Sequence, residues 1–364
     1  MVEHIRVLEP SMNIAFTGLA RQYSNLRDEI LDATDTVLRS GNLMSGEYTD
    51  QFESWLAKKN HSLYAITCHS GTQALEIIAS YLHDLNDAIV SVPAMTYVAT
   101  ANAWRRAGWT VTVADTNAYG LMDLATVHKD ATVICPVGLY GHALDSSYAS
   151  EGYSRTWVED AAQHWLSRNC ERRGFAAAIS FDPTKNFNNY GNGGAVITDS
   201  ILLDLFARNW IRNRSYRISG SAQTGTNSRM SEVDCAQMMV KTRYIDAWQT
   251  RRGEIARHWM EQLSQAGIRS LIDATNYQEH CYHKFVIDVD HRDQLHQALT
   301  DLGIETKVHY LDPIQALNPY QDCAAPDILG ACYSLSRRCL SLPIYPELTD
   351  SEAEYIIDRV ISCV

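Results

Sequence analysis

The chain has 364 residues, 46% hydrophobic and 20% charged, with 31 Lys plus Arg against 43 Asp plus Glu, a net charge of -12. That length suits about two domains with a sizeable core, and the composition argues against a disordered chain. The acidic balance argues against a basic nucleic-acid face or an anionic membrane surface as partner, while leaving room for a local basic pocket.

The first predicted element is a helix over Tyr23–Arg39. Seven short β-rich runs follow: Tyr64–His69, Ala88–Val92, Thr110–Asp115, Thr132–Val137, Thr156–Glu159, Ala177–Phe181 and Ala195–Thr198. Most are nearly continuous apolar stretches, as expected of strands covered on both faces. Helical patterns such as Gln73–Leu82 and Val98–Ala107 link several of them. The alternation predicts an α/β fold with a largely parallel sheet. Beyond it, Ser231–Trp248 reads as a helix with a Ser231/Asp234 capping box, and a second helix runs from Arg251 to about Ala266. The order then becomes strand (Lys284–Val289), helix (Arg292–Leu302), strand (Glu305–His309), helix (Ile328–Arg338), strand (Leu340–Pro343) and helix (Thr349–Ile361). This predicts a large domain over 1–248 and a small α+β domain over 249–364, with the Tyr23–Arg39 helix beside the small domain.

The nine cysteines are odd in number and form no C-x-x-C pair. They read as reduced thiols, and no metal site is expected. No signal layout follows Met1, and no apolar run reaches the ~18 residues of a membrane span, so the expected location is the cytoplasm.

Four constellations lie at predicted strand ends. His69-Ser70-Gly71-Thr72-Gln73 opens a helix. It suits a phosphate at a helix N-terminus, and equally a simple capped turn. Glu159-Asp160-Ala161-Ala162-Gln163 ends an apolar strand. Its acids suit a protonated ring nitrogen at the ligand edge of the sheet, or an ordinary helix start. Ser180-Phe181-Asp182-Pro183-Thr184-Lys185-Asn186 puts Lys185 on a turn after a strand. An isolated lysine is a solvated group, whereas a desolvated one attacks carbonyls and forms a Schiff base. Tyr97 closes another strand and suits either the core or a stacked ring. Together these residues supply what pyridoxal 5'-phosphate (PLP) needs: a lysine, an acid, an aromatic face and phosphate donors.

At these motifs the sequence resembles the DegT–StrS-type sugar aminotransferases, a branch of the fold type I PLP enzymes. Ser45-Gly46, Ser70-Gly71-Thr72, Leu139-Tyr140-Gly141, Glu159 to Gln163, Pro183-Thr184-Lys185-Asn186, Asn227-Ser228-Arg229-Met230 and His309-Tyr310 carry the likeness. The resemblance implies a mixed, mostly parallel seven-stranded sheet in a PLP-binding large domain. It implies Lys185 as the Schiff-base lysine and proton carrier, and Asp160 as partner of the pyridine nitrogen. Gln163 would lie beside the ring hydroxyl and Tyr97 would stack. Gly71, Thr72 and Ser180 would hold the phosphate, joined by Asn227 from a second subunit, so that a homodimer shares its active sites. Arg229 and His309 would face the substrate. Lysine at 185, where related dehydratases carry histidine, favours transamination. The implied reaction moves an amino group, from glutamate, to a nucleotide-linked keto sugar.

Three departures touch the pocket walls. Gly138 stands where the family commonly has histidine, His142 replaces a frequent glutamine, and Asp182 replaces a frequent aromatic. The rival readings are the same chemistry on a keto-cyclitol or other small ketone, and a catalytically silent PLP-fold binding protein. An NAD enzyme is disfavoured, because the first strand's turn lacks G-x-G-x-x-G.

Overall fold

The computed structural model describes residues 12–83, 88–144, 155–167, 174–214, 224–273, 279–327 and 329–364. Seven strands form the large sheet: β1 (Tyr64–Cys68), β2 (Ile89–Pro93), β3 (Thr110–Ala114), β4 (Val133–Ile134), β5 (Thr156–Asp160), β6 (Ala176–Ser180) and β7 (Gly194–Thr198). Their order is β1-β7-β6-β5-β4-β2-β3. Neighbours from β6 through β3 are parallel, and β7 runs antiparallel to both β1 and β6. The sheet is therefore mixed and mostly parallel, as the sequence predicts. All five residues of β6, Ala-Ala-Ala-Ile-Ser, are buried. Small side chains there leave room for the helix Gly71–His83 to lie on β6 and β7.

Helix α1 (Leu19–Ser40) stops at Gly41, whose left-handed φ of 68° favours glycine. Helix α2 (Glu47–Lys59) starts on a buried carboxylate. Glu232 accepts from the backbone N–H groups of Gly46, Tyr48 and Thr49 and from the Thr49 hydroxyl. An acid against otherwise unpaired N–H groups at a helix start is electrostatically favourable, and it ties the Ser45-Gly46 motif to a residue far along the chain.

A second, antiparallel sheet has the order β10 (Cys339–Leu342), β9 (Phe285–Asp288), β8 (Arg269–Ser270). Trp259, Phe285, Leu299 and Ile356 belong to its separate core. The helix Ile245–Gln265 spans both units: Ile245 packs in a core of the large sheet, and Trp259 and Leu263 pack in the second. Residue 248, the expected domain boundary, lies inside this helix.

Three predicted elements differ. The helix expected over Ser231–Trp248 is two helices, Glu232–Lys241 and Ile245–Gln265. At the break, the Thr242 hydroxyl takes the Met239 carbonyl and Arg243 Nε takes that of Val240, so side chains compete for the helix's own acceptors. Ser231 does cap Asp234 N–H, but the Asp234 carboxylate accepts from the Ser231 hydroxyl and completes no capping box. The strand expected over Thr132–Val137 is Val133–Ile134; Pro136 within the run has no N–H to give a ladder. Glu305–His309 makes a single bridge, Lys307 to Ser341, in place of a strand.

Candidate active site

The C-terminal ends of β1, β5 and β6 share one edge of the sheet. Cys68 is in register with Gly194, and Gly194 with Ser180. The Ser70–Gly71 turn crosses this row. A β-carbon at 194 would lie 2.3 Å from the Ser70 carbonyl carbon, so glycine is needed there. Gly71 opens the helix Gly71–His83, and Ser70 Oγ accepts from Gln73 N–H at 3.2 Å. A β-carbon on Gly71 would meet Ser180 Cβ at 2.7 Å. Gly71, Thr72 and Ser180 thus converge on a helix N-terminus, a natural oxyanion cradle.

Asp160 is the last residue of β5 and is buried. Its Oδ2 accepts from Thr100 Oγ1 at 2.7 Å, and Oδ1 accepts from Ala162 N–H at 3.1 Å. Thr96 Oγ1 lies 2.8 Å from Thr100 Oγ1, so two hydroxyls in sequence fix the carboxylate. Gln163 is held by its amide: Oε1 accepts from Tyr140 N–H at 2.9 Å, and Nε2 donates to Tyr310 Oη at 3.2 Å. Tyr97 precedes the helix Ala99–Arg106 and is 57% exposed as a residue, an open aromatic at the sheet edge. Its ring centroid is 6.0 Å from that of Tyr310.

Lys185 follows β6 on a turn closed by its own N–H to the Asp182 carbonyl, 2.9 Å. Asp182 Oδ1 accepts from both Thr184 N–H and Thr184 Oγ1. The turn is anchored on its far side. Asn186 Nδ2 donates to the Cys281 carbonyl at 2.7 Å, and Lys241 Nζ donates to the Asn188 carbonyl at 2.8 Å. Burial pushes the Lys185 pKa below the ordinary lysine value, and the charges of Asp160 and Asp182 offset part of that shift. A lysine so placed loses its proton more readily than a surface lysine and becomes a nucleophile.

The remaining expected residues are dispersed. His309 lies on the small-domain side, with Nδ1 2.8 Å from Ser341 Oγ, and its carbonyl accepts from Tyr140 Oη. Asn227 is exposed, in a bridge to Arg212. Arg229 is partly buried and its Nε has no partner among the described residues. Three functional neighbours escape sequence reasoning. Thr100 receives no role in the sequence reading, yet it holds Asp160. Lys284 was expected in a strand and instead is buried in a cavity wall beside Lys185. His164 fills the space above Gly138: a β-carbon at 138 would lie 2.3 Å from both His164 Cγ and the His142 carbonyl oxygen. The departure at Gly138 therefore has a local cause, and His164 Nδ1 accepts from Gly138 N–H at 3.2 Å.

This donor set fits PLP. A cradle that a β-carbon would fill lies beside Ser180, a fixed buried carboxylate ends β5, and a desolvated lysine within its electrostatic reach ends the next turn. The fold and site are those of a PLP-dependent aminotransferase. The chain belongs to the DegT/DnrJ/EryC1/StrS aminotransferase family, whose model matches residues 24–361. It is 33% identical to the erythromycin biosynthesis sensory transduction protein EryC1 of Saccharopolyspora erythraea, over 95% of this chain and 98% of that one. It is also 33% identical to a dTDP-3-amino-3,4,6-trideoxy-alpha-D-glucose transaminase of Streptomyces venezuelae, over 95% of each. The solved structure of S. venezuelae DesV in complex with a ketimine intermediate superposes with a TM-score of 0.88 at 30% identity, covering 96% of this chain and 98% of that one. Bacillus subtilis NtdA with bound PMP superposes with a TM-score of 0.86 at 25% identity, covering 98% and 86%.

Proposed function

We propose that the chain transfers an amino group from glutamate to a nucleotide-linked keto sugar, with Lys185 and Asp160 as its catalytic pair. The single observation that carries this is their placement: a fixed acid and a desolvated lysine on neighbouring parallel strand ends, beside a phosphate cradle. The dTDP-sugar substrate in the name of the S. venezuelae relative supports the acceptor class.

When bound, PLP supplies an electron sink for the carbon that gains or loses nitrogen. Gly71, Thr72 and Ser180 would hold its phosphate through the helix N-terminus and two hydroxyls. Asp160, kept in place by Thr100 and Ala162 N–H, would bind the ring nitrogen and favour its protonated form. Gln163 would flank the ring hydroxyl, and Tyr97 would cover the ring face. Lys185 would join the aldehyde carbon and, as a free amine, would serve as the proton carrier at the substrate carbon. Lowering its pKa by burial leaves the amine available for both tasks.

Asn227 is exposed on the single chain and reaches the phosphate of a second subunit, making the working unit a homodimer. Arg229 and His309 line the substrate side. No described helix is long and apolar enough to cross a membrane. The eight described cysteines are all free, which suits a reducing compartment such as the cytoplasm. The test is a two-stage reaction. Glutamate should convert the PLP form to the pyridoxamine form, and a panel of keto-sugar nucleotides and keto-cyclitols should then be scored for amine gain by mass. Amine gain on cyclitols alone would replace the acceptor class, and no conversion by any donor would overturn the assignment.

A further inference from the structure

A partly open cavity has Lys185 in its wall, but not Asp160, Gln163, Gly71 or Tyr97. It is bounded by the Phe16–Leu19 segment, the 183–188 turn and the second sheet. Among the polar residues of its walls that are more than nine-tenths buried are Gln22, Arg252 and Lys284. Each has polar capacity left unused. Arg252 Nε and Gln22 Oε1 have no partner among the described residues. Arg252 Nη1 is spent on the Tyr282 and Ile344 carbonyls, which fixes the guanidinium in place. Lys284 Nζ has no hydrogen-bond acceptor among the described residues and lies 4.9 Å from the centroid of the Phe16 ring.

Three basic side chains, Lys185, Arg252 and Lys284, thus line this cavity together with one acid, Glu347. Glu347 sits at the Gly18 end, where its Oε2 would be 2.7 Å from a β-carbon on that glycine. A buried cation without a counter-ion is costly, and proteins retain such groups where a ligand completes them. Burial, together with the charges of Lys185, Arg252 and Lys307, holds the Lys284 pKa well below the ordinary lysine value, and the charge of Asp182 offsets only part of that shift. An arriving anion reverses that balance and restores its proton.

We propose that this cavity is an oxyanion subsite, in which Lys284 and Arg252 bind a carboxylate or phosphate group of a substrate next to Lys185. The proposal rests on the aminotransferase reading, because the reaction brings two sources of such a group. One is the side-chain carboxylate of glutamate. The other is an acidic substituent on the acceptor. Gln22 Oε1 adds an acceptor for a hydroxyl or ammonium on the same ligand.

The test is calorimetric titration of the PLP-loaded protein with glutarate and with inorganic phosphate, neither of which reacts. The same titrations are run on Lys284→Met and Lys284→Arg. The wild type should bind at least one probe, Lys284→Met should weaken it by about tenfold or more, and Lys284→Arg should retain it. Lys284→Met removes a buried amine that has no hydrogen-bond acceptor among the described residues, so its melting temperature should be unchanged or higher. Should it fail to fold, Lys284→Gln carries the same expectation. Separate half-reactions then assign the source. A rise in KM for glutamate but not alanine identifies the donor carboxylate. An unchanged donor half-reaction, with loss confined to uronate or sugar-phosphate acceptors, identifies the acceptor group. The proposal is overturned if neither probe binds the wild type, or if Lys284→Met binds as tightly. A failure of the aminotransferase reading is distinguishable, since it would show as no amine transfer despite intact probe binding.

Discussion

Thr100 Oγ1 donates to Asp160 Oδ2 at 2.7 Å, and Thr96 backs it at 2.8 Å. The acid proposed to face the ring nitrogen is therefore aimed by a hydroxyl from the first turn of the helix Ala99–Arg106. Thr100→Val keeps the shape and removes the donor, leaving a buried carboxylate oxygen short of a partner. We expect kcat to fall by about tenfold, with PLP affinity falling as well. Thr100→Ser should recover most of both. The absorption spectrum of the bound cofactor against pH should shift in the valine variant, a readout that a purely structural loss would not move. Equal spectra and rates in the two variants would contradict this role.

Gly71 and Ser180 meet so closely that a β-carbon on the first would lie 2.7 Å from Cβ of the second. Gly71→Ala should therefore displace the cradle, although alanine otherwise favours a helix. PLP affinity, measured by fluorescence titration of the apo-protein, should drop by about tenfold or more. Ser180→Gly in the same chain should relieve the clash while losing one hydroxyl, so the double variant should bind PLP better than Gly71→Ala alone. A double variant no better than Gly71→Ala would refute the contact as the cause.

Acid should destabilise the protein through its buried histidines. Burial holds the His142 pKa at about 4, below the ordinary 6.5. His309 is held at about 3 by burial and by the charges of Lys284, Lys185 and Lys307. Both side chains are neutral in the folded protein, whereas in the unfolded chain they take up protons below pH 6.5. The stability they contribute is complete above that pH and is lost as pH falls toward 4; for His142 it is on the order of 3 kcal/mol. The melting temperature should fall over that window, less steeply in His142→Gln. An identical slope in the variant would contradict the assignment.

Asn227 offers a test of the dimer. Lys185→Ala and Asn227→Ala chains should each be inactive alone. If Asn227 serves the partner's site, mixing them builds hybrids in which one of the two sites is intact, and activity returns to about a quarter of the wild type. No recovery after verified subunit exchange would place Asn227 in its own subunit's site.

Much of this site was legible because strand ends carry local signatures. An apolar run followed by Glu159-Asp160, or by Pro183 and Lys185, states both the strand and its end. What was not legible depends on distant partners. Lys284 opens the predicted strand Lys284–Val289, and only the packing of Phe16 and Arg252 around it shows that it is buried in a cavity wall. The break at Thr242 arises from side chains turning back on carbonyls, in a segment whose apolar spacing continues a helix. Gly138 looked like a departure in the pocket wall, and the structure shows its space taken by His164 and the His142 carbonyl. Such exchanges leave no trace in spacing or periodicity.

The central claim is that Lys185 is the residue that joins the cofactor and carries the proton. Reducing the PLP-loaded protein with borohydride and mapping the fixed label by mass spectrometry tests it most directly. The account predicts a single label on the peptide holding Lys185, and in Lys185→Ala no fixed label and no amine transfer. A label on another lysine, or amine transfer by Lys185→Ala at the wild-type rate, would contradict it.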